Sequence, residues 1–178
     1  MKFSIILLTL TFFFKAYYLS GQNRPAPNYL TTQALPDSVK KTKVIAINGT
    51  ETTLSTILDQ YKGRKILVDF WASWCKDCIV TLPKYNKLRK KTKAQKIVYL
   101  LLSVDKEDAK WKLAITRFKI KGDHYRFAQG WKNPFSNYID LDWVPRYLII
   151  DELGNIIKPK SIHIDDPALF AELKGLKQ

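Results

Sequence analysis

Cys75 and Cys78 are the only cysteines in the 178-residue chain, and two residues separate them. They follow directly on an apolar, β-prone run, Leu67-Val68-Asp69-Phe70-Trp71. At that spacing one thiolate can attack a disulfide while the second stands within reach to resolve the mixed intermediate. A structural staple is the competing use, yet a bridge across so short a loop removes little unfolded-chain entropy. The pair points instead to thiol–disulfide exchange. Asp69 stands out beside it as a carboxylate in an otherwise apolar strand, where the alternative is a strand-end group facing water.

The elements that must position these residues follow from pattern. Lys43 to Ile47 and Thr50 to Leu54, joined by Asn48-Gly49, carry a strand–turn–strand signature. Ser55 to Tyr61 fits a helical turn ended by Gly63. Lys65 to Phe70 and Ile97 to Val104 are short apolar runs of the kind that form buried strands. From Asp77 to Thr92, Cys78, Leu82, Tyr85 and Leu88 recur at helical spacing, and Pro83 is expected to kink that helix. Glu107 to Phe118 is a second helix, Tyr125 to Ala128 a short strand and Pro134 to Ile139 a short helix. Arg146 to Ile150 and Asn155 to Lys158 form a hairpin. Asp166-Pro167 opens a closing helix that runs to Leu176, with Asp as cap and Pro in the first helical position. The alternation predicts an α/β protein with a mixed sheet covered by helices.

Composition narrows the setting. Lys2, the apolar stretch from Phe3 to Phe14 and the small residues around Ser20 to Gln22 read as a cleavable signal over 1–21. The stretch is short for a membrane span. An uncleaved anchor facing the periplasm is the alternative. Residues 22–42, with Pro25, Pro27 and Pro36, form an extended lead-in, and 43–178 a single domain. Removing Lys2 and Lys15 lowers the formal charge from +14 by two, to +12. The chain is still strongly basic, but export argues against nucleic acid as its partner and leaves acidic proteins or an anionic membrane surface. A solvated surface is the plain alternative. Lys84, Lys87, Arg89, Lys90, Lys91 and Lys93 concentrate the charge on the helix after the cysteines.

The segment Val68-Asp69-Phe70-Trp71-Ala72-Ser73-Trp74-Cys75-Lys76-Asp77-Cys78, with Pro83 five residues on, resembles the active-site segment of thioredoxins. Trp143-Val144-Pro145-Arg146, followed by the strand Tyr147 to Ile150, is similar to that family's cis-proline loop. A hairpin-like N-terminal extension, extra chain between Asp105 and Val144 and an export signal resemble the exported TlpA/ResA-type branch. The resemblance implies a thioredoxin-like fold with an N-terminal β-hairpin extension and a central insertion. It also implies a Cys75–Cys78 dithiol/disulfide couple in which Cys75 attacks and the more buried Cys78 resolves. Asp69 would lie beneath the pair and move the proton, its pKa raised by burial.

The resemblance further implies that Trp74 shapes the sulfur site and that Val144 and Pro145 offer backbone to an extended substrate segment. Arg146 takes the place of the usual Thr, and either favours acidic substrates or points to solvent. Three departures mark the chain: Lys76-Asp77 between the cysteines, Thr81 where ResA-type proteins carry Glu, and Leu101 in place of a thioredoxin lysine.

The expected function is reduction of protein disulfides outside the cytoplasm, most simply in a periplasm, fed by a membrane electron donor and requiring no cofactor or resident metal. Oxidase or isomerase activity on the same fold is the nearest alternative. Copper handling through Cys75, Cys78 and His124 or His163 is a second. A peroxidase lacks its usual Pro-x-x-x-Thr/Ser-x-x-Cys pattern here, and a docking module using the basic helix is a further possibility.

Overall fold

The computed structural model describes residues 28–31 and 34–176. The expected signal at 1–21 and parts of the lead-in lie outside the described residues. A helical turn, α1 (Asn28–Thr31), belongs to a separate unit from the main body, which spans 32–178.

The main body is built on a seven-stranded mixed sheet. Its strands are β1 (Lys43–Ala46), β2 (Glu51–Thr53), β3 (Ile66–Trp71), β4 (Val98–Ser103), β5 (Asp123–Phe127), β6 (Arg146–Ile150) and β7 (Ile156–Ser161), in spatial order β2-β1-β5-β4-β3-β6-β7. β3 and β4 are buried at every position, which is why their sequences are apolar runs rather than alternating ones. β3, β4 and β5 run parallel, while β6, β7 and the β1–β2 hairpin pair antiparallel. The hairpin joins the sheet through β5, so the inserted chain after β4 supplies the strand on which the N-terminal extension docks.

The remaining helices are α2 (Asp37–Lys40), α3 (Leu54–Gln60), α4 (Lys76–Val80), α5 (Leu82–Lys91), α6 (Asp108–Phe118), α7 (Pro134–Tyr138) and α8 (Pro167–Lys174). Local chemistry sets their starts. Thr53 accepts the N–H of Thr56, Asn133 that of Ser136 and Asp166 that of Ala168. α5 and α8 share one face of the sheet, where Lys91 and Lys174 sit over the Phe170 ring. On the other face Phe135 of α7 meets Phe70 and Phe127 edge-on.

Two expectations shift in detail. The helix expected from Asp77 to Thr92 is two helices, separated at Thr81, with Pro83 in the first turn of α5, where its missing N–H costs no intrahelical bond. The turn of the first hairpin is wider than Asn-Gly alone, because the Gly49 N–H closes onto the Ala46 carbonyl at 2.9 Å.

Candidate active site

β3 delivers its C-terminal end to the cysteines, and α4 begins on them. Cys75 is the N-cap of α4, and its sulfur accepts the Cys78 N–H at 3.0 Å. The two sulfurs form a disulfide with S–S 2.07 Å. A sulfur that caps a helix start receives backbone N–H groups which favour its thiolate form once reduced. Across from it the Val144–Pro145 peptide is cis, and the Val144 carbonyl oxygen lies 3.4 Å from Cys75 Sγ. That contact helps cover Cys75, and the two cysteines are equally buried, each 6% exposed. The expected difference in burial between them is absent from this oxidised form.

The loop carrying Trp74 and Cys75 is pinned by Asp105, just past β4. Its carboxylate accepts the Ser73 N–H at 2.8 Å, the Ser73 hydroxyl at 2.6 Å and the Ser103 hydroxyl at 2.6 Å. Sequence reading missed Asp105; the available signal was a carboxylate directly after an apolar strand.

Asp69 is buried, and Oδ1 of its carboxylate has no hydrogen-bond partner among the described residues. It faces the α4–α5 side, where its charge bears on the phenols of Tyr85 and Tyr147. Burial pushes its pKa up to about 8. The same burial raises the pKa of both tyrosines, and the Asp69 charge adds to it. In the sheet Asp69 stands opposite Leu101 on one side and Tyr147 on the other, so no cation neutralises it from either strand. Thr81 donates its hydroxyl to the Asp77 and Cys78 carbonyls, each at 3.0 Å.

Trp71 is core, while Trp74 is 62% exposed. Trp74 stacks on Trp131, with ring centroids 6.2 Å apart and planes at 29°. Together with Trp143, Cys75 and Val144 they line an open groove of about 370 Å³, whose rim carries Lys76, Asp77 and Asp142. Cys75, Trp74 and Val144 thus lie in one groove. Trp131 and Trp143 join them without having been singled out as site residues.

Arg146 corrects an expectation. Its side chain is fully buried and does not point to solvent. The guanidinium pairs with Asp142 on the groove rim and donates to the Ile139 carbonyl at 3.4 Å. Residing on an interior-facing position of a wholly buried strand, it is held by the loop before it.

The basic helix is also less free than its composition suggests, since Lys84 pairs with Asp165 at 2.9 Å and Arg89 lies over the Tyr85 and Tyr99 rings. The histidines do not join the cysteines. His124 lies against Trp71 with Nε2 3.1 Å from the Ile120 carbonyl, and His163 is exposed. Among the described residues no three His, Cys, Asp or Glu side chains converge as a metal site.

A parallel-centred sheet with a helix-capping Cys-x-x-Cys disulfide facing a cis-proline loop defines a thioredoxin-like protein. The Redoxin family profile matches residues 32–167, and the chain belongs to that family. Among relatives, it is 30% identical over 119 residues to the thiol-disulfide oxidoreductase ResA of Bacillus thuringiensis subsp. konkukian, covering 66% of this chain and 59% of that one. The chain thus spans about three-fifths of that relative's length. It is 25% identical over 100 residues to the chloroplastic thioredoxin-like protein HCF164 of Arabidopsis thaliana, covering 56% of this chain and 36% of that one. A solution structure of a putative thiol-disulfide oxidoreductase from Bacteroides vulgatus superposes with a TM-score of 0.62 at 29% identity, covering 75% of this chain and 86% of that one.

Proposed function

We propose that the protein reduces disulfides of protein substrates through its Cys75–Cys78 couple. The observation that carries this reading is the placement of Cys75, a helix-capping sulfur beside the Val144 backbone, with the buried Asp69 carboxylate on the side of the sheet that the helix pair covers.

In the reduced protein the Cys75 thiolate attacks a substrate disulfide. A Cys75–substrate disulfide forms, and one substrate thiolate leaves. Asp69 takes the proton of the Cys78 thiol, a transfer its raised pKa suits. The Cys78 thiolate then attacks Cys75 Sγ, forming the intramolecular disulfide and releasing the second substrate thiol. Two electrons pass from protein to substrate, and an external dithiol donor restores the couple. Val144 offers its backbone to an extended substrate segment, and Trp74 forms one wall of the groove beside the attacking sulfur.

The apolar N-terminal stretch after Lys2 supports export, with a periplasm as the setting and a membrane protein as electron donor. An uncleaved anchor serves the same topology. Among the described residues no helix is long and apolar enough to cross a membrane. An acidic partner at α5 would meet Lys87 and Lys90, which are exposed.

Equilibration of the couple against dithiothreitol or glutathione tests the direction. A potential near or below about −270 mV marks a reductant, and one near about −120 mV an oxidant that inserts disulfides. The second outcome would reverse the proposed direction while keeping the exchange chemistry.

A further inference from the structure

Two tryptophans exposed in one groove at a reactive sulfur are costly to leave in water unless something covers them. Trp74 and Trp143 are 62% and 61% exposed, and both line the groove next to Cys75. A concentrated apolar patch of this kind marks a binding surface rather than incidental exposure.

The third wall of the groove, Trp131, is held in place by buried structure. It lies in the inserted chain between β5 and α7, a surface loop that has no general need of an aromatic residue. The Asn133 side chain, 1% exposed, donates to the Gly130 carbonyl at 2.8 Å and to the Trp131 carbonyl at 3.4 Å. Gly130 itself takes a positive φ of 64°, and a Cβ there would sit 3.2 Å from Lys106 Cγ and 3.4 Å from the Val104 oxygen. The loop is thus fixed by a buried amide and a close backbone approach, and it presents Trp131 to the Trp74 ring. A preorganised aromatic wall loses little entropy on binding.

The groove is continuous with the reacting atoms, because Cys75 and Val144 are part of its lining. Among the described residues no other backbone group bonds the N–H or carbonyl of Val144. An extended segment paired there would lay the side chain next to its own cysteine along the indole-lined groove.

We propose that this groove selects substrates carrying a bulky apolar side chain, aromatic above all, adjacent to the reacting cysteine, and that Trp131 is a specificity-determining residue. This rests on the exchange reading given above.

The test uses the full reduced protein and two synthetic peptides, each with one cysteine in a mixed disulfide with 2-mercaptoethanol. They are identical except for Phe or Gly on both sides of the cysteine. Reduction consumes the protein dithiol and yields peptide thiol, 2-mercaptoethanol and the Cys75–Cys78 disulfide. The Phe peptide is expected to react about tenfold faster or more, the scale of burying one aromatic side chain. Trp131→Ala should shrink that ratio to about threefold or less. Trp143→Ala, at an exposed position, should narrow it as well and provides a second variant if Trp131→Ala does not fold. Equal rates for the two peptides in the unaltered protein would overturn the proposal and leave the exchange reading standing. So would a ratio that survives both substitutions. If neither peptide is reduced, the exchange reading falls and takes the proposal with it.

Discussion

The two sides of the Cys75–Cys78 disulfide are built on opposite principles. On the outer side lie the exposed Trp74 and Trp143, the half-buried Trp131 and the buried Val144, lining an apolar groove that opens to solvent. On the inner side lie Asp69, Tyr85 and Tyr147, polar groups closed off from solvent between the sheet and α4–α5. The outer side comes mostly from loops, including the inserted chain. The inner side comes from central strands and a packed helix. Polar groups are placed where water is excluded because desolvation shifts their protonation. Apolar groups exposed together at a groove are suited to being covered by a partner. On the proposed reading, recognition and proton handling therefore occupy separate structural layers and can be disturbed separately.

The largest disturbance strikes the atom the two sides share. Cys75→Ser should abolish reduction of insulin by dithiothreitol beyond the uncatalysed rate, and full turnover by that variant would contradict the mechanism.

Next comes the inner side. A carboxyl whose folded pKa is about 8 binds its proton more tightly in the folded state than in the unfolded one. Between about pH 4 and pH 8 the folded state thus holds more protons, and its stability falls as pH rises through that window. Asp69→Asn removes this dependence. Urea unfolding of the oxidised protein should show the variant gaining on the parent across the window, by up to about 5 kcal/mol. Parallel stability curves would mean that Asp69 is not buried as a neutral acid. The same substitution should slow resolution by Cys78, seen as mixed disulfide accumulating during turnover.

Gly122→Ala tests how tightly the inner layer is packed. Gly122 has a φ of 143°, and an added Cβ would collide with the Leu101 side chain and stand 2.7 Å from the Tyr99 carbonyl oxygen. A loss of about 2–3 kcal/mol in urea unfolding is expected. A change below about 0.5 kcal/mol would show a layer that yields easily.

The smallest effect is expected between the two sides, at Arg146. Because the side chain is buried and paired within its own loop, Arg146→Met should change stability by no more than about 1 kcal/mol and leave the KM for a protein substrate unaltered. A tenfold rise in KM would place Arg146 in contact with substrate and blur the division between the layers.

The legible part of the molecule is the part governed by local pattern. Apolar runs gave β3 and β4, helical spacing gave α5 and α6, and Asp166-Pro167 gave the start of α8. The Trp-Cys-x-x-Cys segment and the Val144-Pro145 pair marked the two loops that meet at the sulfur. What escaped depends on contacts distant in sequence. Asp105 lies 32 residues from the Ser73 it holds, and Trp131 reaches Trp74 only because the inserted chain folds back over the site. Arg146 misled for a related reason. Sequence allowed it contact with acidic substrates or exposure to solvent, and only the fold shows it buried and paired with Asp142.

The central claim is that Cys75 attacks and Cys78 resolves. The most direct measurement is peptide mapping by mass spectrometry of reduced Cys78→Ser protein incubated with a disulfide-containing protein substrate. The account predicts a stable mixed disulfide on Cys75, absent from the parent protein under the same conditions. Failure of Cys75 to form any mixed disulfide, with the variant still folded, would contradict it.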